Sequence, residues 1–373
     1  MTNDYTRDAR VILTLDAGGT NFVFSAICGQ EEIVQPVRRP SHGNNLQLSL
    51  QTIVEGFRQI REKCDRDPVA ISFAFPGPAD YPNGVIEKLV NLPAFNGGVA
   101  LGPMLQNIFH LPVYINNDGN LFGLGEAIAG FLPLVNRELE KTGSPKRFHN
   151  LVGVTLGTGF GGSVIIDGRM VVGDNSAGGE IWAMRNRLYP ELSAEEGVSI
   201  RGVRHFYAEL AHLDSDEVPS PEQLFRIANG EAPGNALAAC QAFARMGKIA
   251  GDALAHAITL VDGLVVIGGG LAGAWQYFLP DLVQEMNSQL LLQDNRKIDR
   301  LEIRCYNYED DQQRLKFFTG RVVDIAIPGG EARFVYDNLP RTAVGVSRLG
   351  TSKAIAIGAY VYALSQLDGQ AKS

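Results

Sequence analysis

One pattern occurs twice in this chain, and it limits the available folds more than any other feature. A strand-like run over 11–15 leads into Asp16-Ala17-Gly18-Gly19-Thr20-Asn21. A second run covers 22–27, then the turn Cys28-Gly29-Gln30 and a third run over 31–37. The second copy begins with a run over 151–156 and turns at Gly157-Thr158-Gly159-Phe160-Gly161-Gly162. It continues through 163–166, the pair Asp167-Gly168 and a run over 169–172. Asp-Gly suits a two-residue hairpin turn, because both positions take φ > 0. A repeated strand–turn–strand unit, with helical segments between copies, predicts two related α/β domains. Glycine turns after the first strand of each copy could offer backbone N–H groups to one polyphosphate.

The rest of the chain fits α/β. Helical spacing covers 46–63, 104–109, 121–129, 235–260 and 352–364. Ser220-Pro221-Glu222-Gln223 is a capping box with proline at the first helical position. Strands are expected over 69–75 and 113–115, and over 264–267 ahead of Gly268-Gly269-Gly270. The segment 287–349 is the least readable: it mixes charge-rich turns with strand-like pieces over 301–306 and 322–327, and is taken as an elaboration of the second domain. The expected division is a small N-terminal domain over 1–117, onto which a C-terminal helix over 351–373 packs, and a large domain over 118–350.

Composition excludes several classes. The 373 residues suffice for two domains. Net charge is −8 with no Lys/Arg cluster, which argues against nucleic acid as a partner. No apolar run reaches the roughly 20 residues that span a bilayer. The polar, acid-bearing N-terminus does not read as a secretory signal, so a cytoplasmic location is expected. The four cysteines form no CxxC pair and read as reduced thiols. A nicotinamide-binding fold is disfavoured, since its glycine fingerprint opens a helix and the residues after Gly162 read as strand.

Several residues could carry chemistry. Asp16 ends a strand ahead of two glycines and a hydroxyl, a pattern suited to Mg²⁺ and phosphate. Asp118 follows a strand and could accept a hydroxyl proton; the plainer reading is a helix cap. Glu180, and Glu195 or Glu196, could bind sugar hydroxyls or lie on the surface as ordinary acids. Trp182 reads as a sugar-stacking platform or as a core or interface residue. The six histidines show no metal-ligand spacing.

These pieces, in this order, resemble the ROK family of sugar kinases and sugar-responsive repressors, within the actin-like ATPase superfamily. Asp16, Gly18, Gly19, Thr20 and Asn21 match its first phosphate motif, and Phe75-Pro76-Gly77-Pro78 with Gly84 its PGP segment. Asn91-Leu92-Pro93 matches the sugar-contacting stretch. Asn117-Asp118-Gly119-Asn120 with Gly125-Glu126 matches the stretch holding the catalytic aspartate. Gly157, Thr158, Gly159 and Gly161 match the second phosphate loop, and Gly268, Gly269 and Gly270 the adenosine motif.

The resemblance implies an α/β, actin-like (ribonuclease H-like) two-domain fold with a central cleft. It implies a glucokinase-like, ATP-dependent transfer to a hexose or hexose-derivative hydroxyl. ATP with Mg²⁺ would lie at the glycine turns, with Asp16 an indirect metal contact. Asp118 would be the base, and Asn91, Asn117, Asp118, Glu180 and Glu195 would meet the sugar. A homodimer is compatible with it. The chain departs from the family where Ala183 takes the place of its histidine and where no cysteine lies between Met184 and Glu196. No zinc site is therefore expected. The rival is a non-catalytic sugar sensor on the same scaffold; ten residues ahead of Val11 are too few for a helix-turn-helix.

Overall fold

The computed structural model describes residues 5–370 apart from 19, 78, 88, 90 and 91. The chain divides into two units. One comprises 1–130, 167–178 and 349–373; the other comprises 131–166 and 179–348.

In the first unit, β1 (Val11–Ala17) runs antiparallel to β2 (Asn21–Cys28), which also pairs with β3 (Glu31–Glu32) and β4 (Val37–Pro40). Helix α1 (Leu46–Lys63) follows, then β5 (Pro68–Ala74), the small hairpin β6 (Ala79–Asp80) and β7 (Val85–Ile86), α2 (Leu101–Phe109), β8 (Val113–Asn116) and α3 (Asp118–Ile128). Strands β5 and β8 extend the sheet in parallel on the other side of β1, giving the order β3-β2-β1-β5-β8.

Alternation along β1 assigns its two faces. Val11, Leu13 and Leu15 join Ile53, Phe57 and Ile60 of α1 and Leu101, Leu105 and Phe109 of α2 in one core. The apolar positions of α1 recur at i, i+4 and i+7, which is why this stretch is helical; Asn45 caps it by accepting from the Leu48 N–H at 3.1 Å. Phe57 packs edge-on against Phe24 and Phe109. Burying each such ring stabilises the unit by roughly 1.5–3 kcal/mol.

The second unit repeats the plan. After α4 (Phe131–Lys141), β9 (Leu151–Leu156) pairs antiparallel with β10 (Phe160–Ile166). The third strand of this copy is only the two residues of β11 (Arg169–Met170), which group with the first unit. Then come α5 (Ile200–Ala211), α6 (Pro221–Ala228), α7 (Ala236–Val261), β12 (Leu264–Gly268) and α8 (Trp275–Met286). The hairpin β13 (Gln289–Leu291) and β14 (Lys297–Asp299) precedes β15 (Arg304–Asn307) and α9 (Asp311–Thr319). A second hairpin, β16 (Val322–Ala326) and β17 (Arg333–Asp337), precedes β18 (Arg341–Val346). Within this unit the sheet order is β10-β9-β12-β18-β15, with β12, β18 and β15 parallel. Within 287–349, β15 and β18 thus belong to the central sheet, while the two hairpins form two-stranded sheets of their own. The last helix, α10 (Thr351–Gln370), belongs to the first unit.

The division differs from the expected boundary at residue 117, because α3 stays with the first unit. Its partner there is α10. Helix α3 contains Gly119, Gly123 and Gly125 and is a poor helix former by composition. Packing compensates. A Cβ on Gly125 would overlap the Ala354 carbonyl, and one on Gly358 would overlap the Leu121 carbonyl, so the helices cross backbone against backbone. Gly125→Ala therefore lowers stability by about 1–3 kcal/mol, the usual cost of overpacking. Urea unfolding measures this, and an unchanged midpoint contradicts the crossing as described.

Candidate active site

The first unit presents two carboxylates. Asp16 lies near the end of β1, paired to Val23 on one side and Ala74 on the other. The turn after it closes through the Gly18 N–H on the Asn21 carbonyl at 3.1 Å, and a Cβ on Gly18 would sit 2.9 Å from that same oxygen. Thr20 is exposed at this turn. Gly19 and Asn91, both expected at the site, lie outside the described residues.

Asp118 is the first residue of α3, and the cap is its neighbour. Asn117 is extended, and its Oδ1 accepts from the Gly119 N–H at 2.8 Å. Its Nδ2 donates to the Tyr81 hydroxyl, which itself donates to the Phe75 carbonyl at 3.0 Å. Buried Asn116 takes the Asn117 N–H and the Asn120 amide on its Oδ1. Capping, the plainer role for Asp118, thus falls to Asn117. Asp118 Oδ1 shares the Gly119 N–H, at 2.9 Å, its carboxylate also takes its own N–H, and the residue remains reachable by solvent. The protein around it desolvates its carboxyl and raises its pKa above the ordinary aspartate value. The Gly119 N–H opposes the shift, and the charge of Asp16 adds to it. Asp16 is raised too, by desolvation, with Arg38 pulling the other way. A pair of neighbouring carboxylates that resist ionisation is an arrangement suited to a proton acceptor beside a cation.

The second unit carries the other glycine motifs, and its glycines divide by role. Gly157 and Gly270 have open space where a Cβ would stand. A Cβ on Gly162 would overlap the Gly179 carbonyl, and one on Gly269, whose φ is +89°, would overlap the Leu156 carbonyl. These two are packing residues, while Gly157 and Gly270 leave a surface that a ligand can approach closely. The turn itself closes from the Gly157 N–H to the Gly159 carbonyl at 3.0 Å.

Glu195 stands against this turn. Its Oε2 accepts from the Phe160 N–H at 3.0 Å, and a Cβ on Gly159 would come within 2.7 Å of the same oxygen. Its Oε1 pairs with Arg201 at 2.7 Å. Arg201 also binds Glu196 and donates to the Thr158 carbonyl. The sequence predicts a sugar contact at Glu195 and says nothing of this brace. Ser199, which caps α5 by accepting from the Gly202 N–H, is the local signal that would have placed Arg201 on the first turn.

Glu180 is exposed at the start of a short 3₁₀ turn, Ile181–Ala183, whose Ile181 is buried. The Trp182 indole N–H donates to the Glu180 carboxylate. The following loop is organised by Asn186, which is buried. Its Oδ1 accepts from the Leu188 and Tyr189 N–H groups, and its N–H reaches the Leu192 carbonyl. Arg187 then ties the loop to α7 and α8 through Asp252 and Glu285, at 3.6 and 3.2 Å, and Arg300 shares both acids. Among the described residues no group of three or more His, Cys, Asp or Glu is placed to hold a metal ion. Among them no helix is long and apolar enough to cross a membrane.

The model of the ROK family matches residues 12–185. The solved glucokinase of Parabacteroides distasonis is 50% identical over 98% of this chain and 99% of its own, with a TM-score of 0.87. The N-acetyl-D-glucosamine kinase of Yersinia enterocolitica is 26% identical over 74% of this chain and 89% of its own length. A ROK family glucokinase of Streptomyces griseus, solved with glucose and AMPPNP, is 16% identical with a TM-score of 0.59 and shares the fold. The architecture is the actin-like one that the resemblance implies, and the chain belongs to the ROK family.

Proposed function

We propose that this chain is an ATP-dependent sugar kinase that transfers the γ-phosphoryl group of ATP to a hydroxyl of a hexose or a 2-acetamido hexose. The observation that carries the reading is Asp118. It is released from capping by Asn117, open to solvent, and raised in pKa beside Asp16.

In this reading Asp118 accepts the proton of the attacking hydroxyl as its oxygen bonds to the γ-phosphorus and ADP leaves. Phosphoryl transfer asks little covalent chemistry of the protein; positioning and charge neutralisation dominate. Two neighbouring carboxylates raised in pKa fit a divalent cation, and Asp16 is the residue that would hold Mg²⁺, directly or through water. When bound, Mg²⁺ neutralises phosphate charge. Gly18, Thr20 and Asn21 of the first unit, and Gly157, Thr158, Gly159 and Gly161 of the second, are assigned to phosphate. Gly268, Gly269 and Gly270 are assigned to adenosine, with Gly269 serving through packing.

Asn91, Asn117 and Glu180 are assigned to the sugar. Glu195 stays in this set with a double duty. A carboxylate has about four lone-pair positions, and the brace uses two. The relatives named as glucokinase and as N-acetylglucosamine kinase give the two sugars to try first. A coupled assay of ADP release over a hexose panel tests the reading. Sugar-dependent ADP release supports it. Tight sugar binding with no ADP release from any sugar overturns it in favour of a sensor.

A further inference from the structure

We infer that Trp182 is a positioning and specificity residue of the sugar site. Its indole N–H holds the Glu180 carboxylate, and its ring offers an apolar face to a pyranose. The inference rests on the assignment of Glu180 to the sugar.

Trp182 is 43% exposed, which excludes the core role open to it from sequence alone. The turn that bears it is anchored on both sides. Ile181 is buried ahead of it, its N–H bonded to the Gly179 carbonyl at 2.7 Å, and the Met184 N–H closes the turn on the Ile181 carbonyl at 3.1 Å. Gly162, with no room for a Cβ, sets the turn directly on β10. A large aromatic ring is thus held out on a fixed turn, two residues from an exposed carboxylate to which it donates its one hydrogen bond. Buried indoles use that N–H to satisfy themselves; an exposed one has water available and gains little from a local partner. Here it restrains a long, exposed glutamate and leaves that carboxylate's remaining lone pairs open to a ligand. The neighbour Ala183 is small and exposed, so nothing on this turn competes for the ring face. An aromatic platform beside a fixed carboxylate matches a pyranose, which has C–H-rich faces and hydroxyls at its rim.

Two variants separate the contributions. Trp182→Phe keeps a ring and loses the N–H. The sugar KM rises about tenfold, kcat stays within about twofold and the KM for ATP is unchanged, the pattern of lost substrate binding rather than lost chemistry. Trp182→Ala also loses the face and raises the sugar KM by about a further tenfold. The chain has two tryptophans, Trp182 and Trp275. Titrating sugar alone into Trp275→Phe protein changes the indole fluorescence, and the change disappears in Trp182→Phe. An unchanged sugar KM in both Trp182 variants overturns the inference. If Glu180→Gln raises the sugar KM while both Trp182 variants do not, Trp182 has no such role and the Glu180 assignment stands. If Glu180→Gln also leaves it unchanged, both fall. A change in oligomeric mass on Trp182→Ala with the sugar KM unaltered makes the ring an interface residue and overturns the inference equally.

Discussion

Asp118→Asn lowers turnover by about 10²–10⁴-fold, the usual worth of a positioned base, and leaves sugar and ATP affinities little changed. Asn keeps the size of the side chain and can keep the contact with the Gly119 N–H, but it cannot take a proton. The pH profile of the wild type reports the same group. The base works unprotonated, and its pKa is raised, by desolvation first and by Asp16 in addition. The acid limb of kcat therefore lies above the ordinary aspartate value of 3.8, and Asp118→Asn abolishes it. Stability moves the other way. A carboxyl whose folded pKa exceeds its unfolded pKa contributes stability that is full below the unfolded value and lost as pH rises through the folded one. Above its folded pKa the charged Asp118 is a burden on the fold, so at such pH Asp118→Asn melts no lower than the wild type. Near-normal turnover in this variant contradicts the role of Asp118, whatever the melting temperature.

The second large effect lies away from the chemistry, between β17 and β18. Asp337 and Arg341 form an ion pair at 2.7 Å with side chains 1% and 0% exposed. Asp337 Oδ1 also accepts from the Arg321 and Leu339 N–H groups. Arg341 donates to the Phe317 and Leu339 carbonyls and lies over the Phe317 ring. Burial alone would raise the Asp337 carboxyl, but Arg341 and the two N–H groups outweigh it and hold it down to about 2. Asp337→Ala leaves a buried guanidinium without its counter-charge and costs about 3–5 kcal/mol. Pairing Asp337→Leu with Arg341→Met removes both charges and is far milder than either single change. Urea unfolding of Asp337→Ala, of Asp337→Leu and Arg341→Met singly, and of the double variant decides this; a loss below about 0.5 kcal/mol for Asp337→Ala, the range of an ordinary surface change, contradicts it. Because the folded pKa is depressed, this contribution is present above the unfolded aspartate value and is lost as pH falls toward about 2.

Much of the scaffold was legible because its signals are local and strong. The two strand–turn–strand copies stand out by alternation and glycine. Helix α1 follows the spacing of Ile53, Phe57 and Ile60, and α6 follows its capping box. The 287–349 segment resists reading for a physical reason. The strand-like runs over 301–306 and 322–327 do meet β15 and β16, but β16 and β17 are largely exposed on both faces, with Val322, Ile325, Phe334 and Val335 all outward, so no inside–outside alternation ties them to the core. Strands β15 and β18 are buried in the sheet but are separated by α9 and a hairpin, and their pairing is a long-range fact. Helices α4 and α8 contain Pro133 and Pro280 and so look interrupted. At the site, residue types pointed to Asp16, Asp118 and the glycine turns. They could not say that Asn117 rather than Asp118 is the cap, since both types cap equally well. Nor could they show that Glu195 and Arg201 brace the second turn, because those contacts join β10, the 3₁₀ turn Ala194–Glu196 and α5.

Phosphoryl transfer to a sugar is tested most directly by ³¹P NMR of the reaction mixture. With ATP, Mg²⁺ and either glucose or N-acetylglucosamine, a phosphomonoester signal on the sugar grows in step with ADP for at least one of them and is absent when Asp118→Asn replaces the wild type. ADP accompanied only by inorganic phosphate, or no loss of ATP with any hexose, contradicts it.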